Sequence, residues 1–310
     1  MAFGTVKKLR KALLERAGKI LAERNPCASD ELPVNGEELS SEQLESVTAE
    51  IFQELGNMDQ TPVQHEMPVE TTLEKRDAKD AHISTGGKEK ERFTLCLAIM
   101  TDGSKVQLRI TFKATSFNPP NKPGKGKRTQ PRKGSIAAEV SPGNHTKFGH
   151  PAVGMSFGVQ ENSWCDAREC TLWISESWRL HPNNGSIITQ RPSTLVLDDF
   201  KCHRDEAFIA DLWKRCNTSV ILIPGGLTPL LQPLDRMLNK EMKRLLPGKY
   251  TAYTATAVAD PTTGKLKPPG RGMVSTWCKE AWEAIISDVV KTCFKICGLT
   301  LALDSSEDHA

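Results

Sequence analysis

No apolar run in this chain of 310 residues approaches the roughly eighteen residues of a membrane-spanning helix, and Met1 to Lys8 lacks the uninterrupted apolar stretch of a secretory signal. An intracellular protein with no membrane partner is expected. The nine cysteines include no Cys-x-x-Cys pair, and an odd count closes no complete disulfide framework, so mostly reduced thiols are expected. Cys165, Cys170, Cys202 and His203 can be assembled on paper into a zinc set, although the four residues between Cys165 and Cys170 match known ligand spacings only loosely.

Charge is scarce locally rather than globally. Residues 25 to 54 contain eight acids and no Lys or Arg, while Asn118 to Gly134 contains no acid. What is present is ordinary for a soluble globular domain: 38% hydrophobic, 25% charged and a net charge of +3. Wholesale disorder is excluded, and the segregation of charge carries more information than its total.

Residues 1–24 read as a basic amphipathic helix, with Leu9, Leu13, Ala17, Ile20 and Leu21 at helical spacing and Lys7, Lys8, Arg10, Lys11 and Arg16 on the other faces. It suits either a DNA or partner contact or simple docking of its apolar stripe. Residues 25–50, with Pro26, Pro33 and Gly36, read as an acidic linker. The segment ending at Met58-Asp59 fits a short strand with the aspartate at its end, while Ala49 to Leu55 suits a helix equally well.

Arg92 to Lys113 alternates Phe93, Leu95, Leu97 and Ile99, turns at Thr101-Asp102-Gly103-Ser104, and alternates again through Val106, Leu108, Ile110 and Phe112. This predicts a β-hairpin with one buried face. Residues 115–150 then form a basic insertion in which Lys122, Lys125, Lys127, Arg128, Arg132 and Lys133 are interleaved with Pro and Gly, either to neutralise nucleic-acid phosphates or as a solvated loop.

Trp164 to Arg179 predicts a helix that buries Trp164, Leu172, Trp173 and Trp178. The apolar run Leu195 to Leu197 predicts a strand that ends in two carboxylates, Asp205 to Cys216 a helix, Val220 to Ile223 a strand, and Pro233 to Leu246 a helix with proline in its first turn. Strand, helix, strand, helix after a hairpin is the signature of a mixed α/β sheet with helices on its faces.

Three aspartates stand in short motifs of their own: Asp59 in Asn57-Met58-Asp59-Gln60-Thr61-Pro62, Asp198 in Leu195-Val196-Leu197-Asp198-Asp199-Phe200, and Asp235 in Leu231-Gln232-Pro233-Leu234-Asp235. Carboxylates brought to one point from separate elements suit hard Mg²⁺ or Mn²⁺, and two such ions about 3.5–4 Å apart clamp the attacking and leaving oxygens of a phosphodiester. Each acid also has a local alternative. Asp235 can complement a helix N-terminus, Asp59 can cap the Thr61-Pro62 turn, and Asp198 can pair with Lys201 or Arg204.

These motifs occur with Gly87-Lys88-Glu89-Lys90-Glu91-Arg92-Phe93-Thr94 and Asp102-Gly103-Ser104-Lys105 at the hairpin, Lys201-Cys202-His203 after the second acid, and Ile223-Pro224-Gly225-Gly226-Leu227-Thr228 before the third. Asn239-Lys240 follows, and Trp277, Trp282, Phe294, Cys297 and Gly298 close the series. In this order the chain resembles the DDE-type transposases of the pogo and Tigger group over roughly residues 57 to 304.

The resemblance implies a ribonuclease H-like mixed sheet flanked by helices in residues 51–250, with a C-terminal helical extension in 251–310. It also implies a nuclear, DNA-binding endonuclease and strand transferase in which Asp59, Asp198 and Asp235 hold two Mg²⁺ or Mn²⁺ ions, with a homodimer or chromatin proteins as partners. Arg236, Lys240, Lys243 and Arg244, at three- and four-residue spacing, would grip DNA phosphates or form a solvated helix face.

Gln60 stands where the family usually has Glu, and Asp199 where a small neutral residue is usual, so Asp199 is expected to compete for metal or to repel Asp198. The resemblance further implies helix-turn-helix domains ahead of the catalytic domain. With one basic helix in the some fifty residues before Asn57, terminal-repeat recognition is expected to be absent from this chain. That suits a fragment, an isoform or a host-derived relative, and the alternative function is a non-catalytic nuclear DNA- or protein-binding module on the same fold.

Overall fold

The computed structural model describes residues 54–67, 85–88, 90–117, 134–140, 154–180 and 193–300, together with isolated positions before residue 50. Six strands form one sheet: β1 (Leu55–Gln64), β2 (Arg92–Met100), β3 (Leu108–Lys113), β4 (Met155–Gln160), β5 (Ser193–Leu197) and β6 (Thr218–Leu222). Their order is β4-β3-β2-β1-β5-β6. The β1-β2 and β2-β3 pairs are antiparallel, whereas β3-β4, β1-β5 and β5-β6 are parallel. This is the ribonuclease H-like mixed sheet that the sequence implied.

Helices cover both faces. The first core joins Leu55, Leu95, Leu97, Ile110 and Val196 of the sheet to α5 (Asn239–Thr256), α6 (Arg271–Ala284) and α7 (Ser287–Ile296). The opposite core joins Met58, Cys96, Ala98, Leu195 and Leu197 to α2 (Ala167–Trp173), which runs into a π-turn (Ile174–Trp178), and to α3 (Glu206–Cys216). Two short helices complete the set, α1 (Ile136–Val140) and α4 (Thr228–Leu231). Residues of period two that are apolar on both faces are what such a sandwiched strand requires. Gly56 belongs to the same logic, because a Cβ there would meet the Trp178 ring at 2.6 Å.

Several expectations change in detail. The hairpin buries two faces, not one: its second face, carrying Arg109 and Thr111, lies under α2 and its π-turn, where Arg109 donates to Glu169 of the helix at 2.9 Å and to Glu176 of the turn at 2.5 Å. A paired guanidinium can be buried, and a pattern of polar alternation does not reveal the pairing. Gly158 of β4 makes room for this network, since a Cβ there would collide with the Glu169 carboxylate. Trp164 lies outside the expected helix, before its Asp166 cap, and is 63% exposed.

The boundary expected at residue 250 falls inside α5, and α6 and α7 share the first core with the sheet. Lys105 of the hairpin reinforces this union by donating to the carbonyls of Trp282 (2.6 Å) and Ile285 (2.7 Å) at the end of α6. In the segment read as a linker, Ser40 and Gln43 exchange capping hydrogen bonds and Val47 is buried in the first core. The expected basic helix of residues 1–24 and the basic loop with Lys122, Lys125, Lys127, Arg128, Arg132 and Lys133 lie outside the described residues, apart from isolated positions such as Leu14. No described helix is long and apolar enough to cross a membrane.

Candidate active site

Asp59 sits in the middle of the ten-residue β1, paired with Leu97, not at the end of a short strand. The neighbouring apolar positions Leu55, Met58 and Val63 pack into cores on both faces, so the strand continues past the acid. Its carboxylate is buried on the face covered by α5. Burial, followed by the nearby Asp235 charge, pushes its pKa up to about 7; Asn239 offsets part of this by donating to it, and Asp198 adds to the rise.

Asp235 is exposed on a π-turn (Leu234–Leu238) that leads into α5. One nitrogen of Asn239, Nδ2, donates both to Asp59 Oδ2 at 2.5 Å and to Asp235 Oδ1 at 2.9 Å, joining the first and third acids. Wide helical turns recur at functional sites, and here the turn keeps Asp235 and Asn239 in contact.

The strand and the turn are fastened beneath these acids by two buried amides. Asn57 Nδ2 donates to Gln232 Oε1 at 2.9 Å and to the Val196 carbonyl at 2.8 Å, and Asn57 Oδ1 accepts from the Leu234 amide at 3.1 Å. Gln232 returns a bond to the Met58 carbonyl at 3.1 Å. Three elements, β1, β5 and the π-turn, are thus fixed by side chains whose polar atoms all find partners, as burial demands.

Asp198 follows β5 directly, and its Oδ1 lies 2.5 Å from His203 Nδ1. Gln60 Nε2 lies 3.0 Å from His203 Nε2. An amide nitrogen only donates, so the ring accepts at Nε2 and carries its proton at Nδ1, aimed at Asp198. Neither alternative partner expected for Asp198 is used. Asp199 turns instead toward Arg204, 3.3 Å away, on the surface.

Asp59 and Asp198 line one pocket, of about 370 Å³. Among the described residues no Lys or Arg pairs with Asp59, Asp198 or Asp235, and no three such side chains are already gathered around one point as metal ligands. The donor set nonetheless suits a hard divalent cation. Among the described residues no basic side chain pairs with its oxygens, burial ahead of the neighbouring carboxylates pushes Asp59 up to about 7, and buried Asn239 Oδ1 has no hydrogen-bond partner.

Of the expected phosphate grips on α5 and its lead-in turn, Arg236, Lys240 and Lys243 are exposed, while Arg244 is committed to Glu241 at 2.6 Å. The zinc set is not assembled, because His203 faces Asp198. Cys165 and Cys170 lie 3.5 Å apart, and hydrogen bonds between thiols, with burial, push Cys170 and Cys202 far above the ordinary thiol range, which marks inert packing groups. All eight described cysteines are free. Sequence reasoning gave no role to Asn239, Gln232 or Asn57 and considered His203 only for a zinc set, although each stands inside or next to a quoted motif and its polar character at a core position was the available signal.

The chain belongs to the DDE superfamily endonuclease family, whose model matches residues 90–294 and therefore includes Asp198 and Asp235 but not Asp59. It is similar to "Pogo transposable element with KRAB domain" of Mus musculus and of Homo sapiens, with 27% identity to each over 256 residues. These alignments cover 82% of this chain but 37% of each relative, so the chain spans little more than a third of their length.

Among solved structures it is similar to the Mos1 transposase paired-end complex with left transposon end, at a TM-score of 0.45 and 10% identity over 96% of this chain and 62% of that one. The catalytic domain of Mos1 mariner transposase gives a TM-score of 0.38 and 11% identity over 94% of this chain and 90% of that one. The Mos1 mariner paired end complex with Mn gives 0.42 and 10% over 97% and 63%.

Proposed function

We propose that this chain is a transposase-derived DNA endonuclease and strand-transferase domain that works in the nucleus with Asp59, Asp198 and Asp235 as its metal-holding acids. The observation that carries the reading is the bridge of Asn239 between Asp59 and Asp235, with Asp198 on the same pocket as Asp59. Mg²⁺ or Mn²⁺, two ions when the site is filled, would supply a Lewis acid and an activated oxygen nucleophile for phosphodiester cleavage.

The chain's own residues hold the acids in place. Asn239 keeps the first and third together and lowers the cost of ionising Asp59. His203, oriented by Gln60, fixes Asp198 through its Nδ1 proton. Asn57 and Gln232 hold β1 against the π-turn. Exposed Arg236, Lys240 and Lys243 supply positive charge beside Asp235 for DNA phosphates, and the basic loop around Lys122 to Lys133 adds more. A homodimer or chromatin protein is the natural further partner of such a domain.

The test is nicking of supercoiled DNA by the purified chain in Mg²⁺ or Mn²⁺. Wild type nicks and an Asp198→Ala variant does not. Equal, metal-independent behaviour of the two, with DNA binding intact, overturns the catalytic reading in favour of a non-catalytic DNA-binding module.

A further inference from the structure

The pocket that holds Asp59 and Asp198 has a second wall that the three acids do not explain. Trp164 and Phe200 stand there with ring centroids 6.5 Å apart and planes inclined by only 19°, and Trp164 is 63% exposed. Lys90, Arg92 and Lys113 line the same pocket, and none of them forms an ion pair among the described residues. Exposing an indole to water forgoes a large burial gain, and three cations that form no ion pair among the described residues favour an anionic ligand.

The aromatic wall is also held in position. Ser163, immediately before Trp164, has φ of +58°, a left-handed conformation that a non-glycine residue keeps only where its surroundings hold it. Its carbonyl is gripped by the Thr94 hydroxyl of β2 at 2.5 Å, and Gln160 Oε1 accepts from the amides of Asn162 (2.6 Å) and Trp164 (3.1 Å). Phe200 packs edge-on against His203, centroids 5.9 Å apart, and His203 is the partner of Asp198. The platform is therefore tied on one side to the sheet and on the other to the second acid.

An aromatic face beside cations, with carboxylates a pocket's width away, matches one nucleotide: base against ring, phosphate toward Lys or Arg. Both faces of a base inside a duplex are already stacked, so only an unpaired base can use such a platform. We propose that Trp164 and Phe200, with Lys90, Arg92 and Lys113, form a subsite for an unpaired nucleotide of the DNA strand next to the phosphodiester under attack. This rests on the DNA-cleaving reading of the same pocket. Stacking is tolerant of base identity, so the subsite selects frayed or single-stranded ends over paired ones rather than a sequence.

The test compares a blunt duplex with the same duplex bearing a three-nucleotide single-stranded overhang that contains 2-aminopurine, with Ca²⁺ as the only divalent ion. Wild type binds the overhang more tightly than the blunt end and quenches the 2-aminopurine. Trp164→Ala loses overhang affinity by about 5- to 150-fold, the range for one lost base-aromatic stack, and loses the quenching, while its affinity for the blunt duplex is kept. Trp164→Phe restores most of both.

Overhang binding and quenching by Trp164→Ala equal to wild type overturn the subsite and leave the DNA-cleaving reading standing. An equal loss on blunt and overhang DNA overturns it as well. Failure of the wild type to bind either DNA overturns both readings together.

Discussion

The amide of Asn239 donates to the carboxylate of Asp59 at 2.5 Å, and the same nitrogen reaches Asp235 at 2.9 Å. A neutral donor between two acids is what allows them to stand side by side in the absence of a cation. Asn239→Ala should lower the stability of the metal-free protein by about 1–3 kcal/mol, because a buried acceptor loses its partner. It should also raise the Asp59 pKa further, since the lost bond favours the charged form. Urea denaturation in chelator and carboxyl NMR titration measure the two effects, and no change in either would remove Asn239 from its assigned role.

Asp59 makes stability depend on pH with a defined sign. Its native pKa of about 7 lies above the ordinary carboxylate value of 3.8, so the native state keeps a proton that the unfolded chain releases between those two pH values. Stability of the metal-free protein therefore falls as pH rises through this window, and the penalty is complete above about pH 7. Asp59→Asn removes a penalty on the order of a few kcal/mol at pH 8 and almost none at pH 4. Thermal melts of both proteins across that range should diverge with increasing pH, and a constant offset would contradict the assignment.

The Asn57–Gln232 pair predicts non-additivity. Either truncation to Ala orphans the other buried amide and should cost about 1–3 kcal/mol, but the double variant should cost clearly less than the sum. Both single variants should also slow nicking while leaving every carboxylate in place. A double-mutant cycle by chemical denaturation decides the matter, and simple additivity would mean that the clamp is not a unit.

Arg109 should be among the most sensitive positions in the fold. Arg109→Met strips Glu169 of its buried cation, leaving only exposed Arg168, 3.3 Å from the other carboxylate oxygen, and should destabilise by about 3–5 kcal/mol. Adding Glu169→Gln should recover part of that loss, because it removes the poorly compensated charge. Denaturation curves that show no loss for Arg109→Met would indicate that Arg168 alone satisfies Glu169.

The β2-β3 hairpin, β5, α3 and β6 were legible from apolar alternation and short apolar runs, whereas the start of β1 suited a helix equally well and β4 had no reading. The depth of burial was not legible. Arg109 looked like a solvent-facing position because a sequence does not show that Glu169, sixty residues away, arrives to neutralise it. Trp164 looked like core for the converse reason, since its apolar character gave no hint that a positive-φ turn at Ser163 would lift it to the rim of the site.

For the site, the motifs announced the three acids, and the structure brings Asp59 and Asp235 onto one amide with Asp198 on the adjoining wall. The supporting residues were harder to read, because the roles of Asn57, Gln232 and Asn239 come from contacts made across 175 to 180 positions of chain. A local reading does not carry that range.

Calorimetric titration of Mn²⁺ into the metal-free wild type, with Asp198→Ala and Asp59→Ala as controls, tests the site without any assumption about its DNA. The account predicts saturable binding by the wild type that is lost or weakened at least tenfold in both variants. No binding by the wild type, or binding that both substitutions leave unchanged, would contradict it.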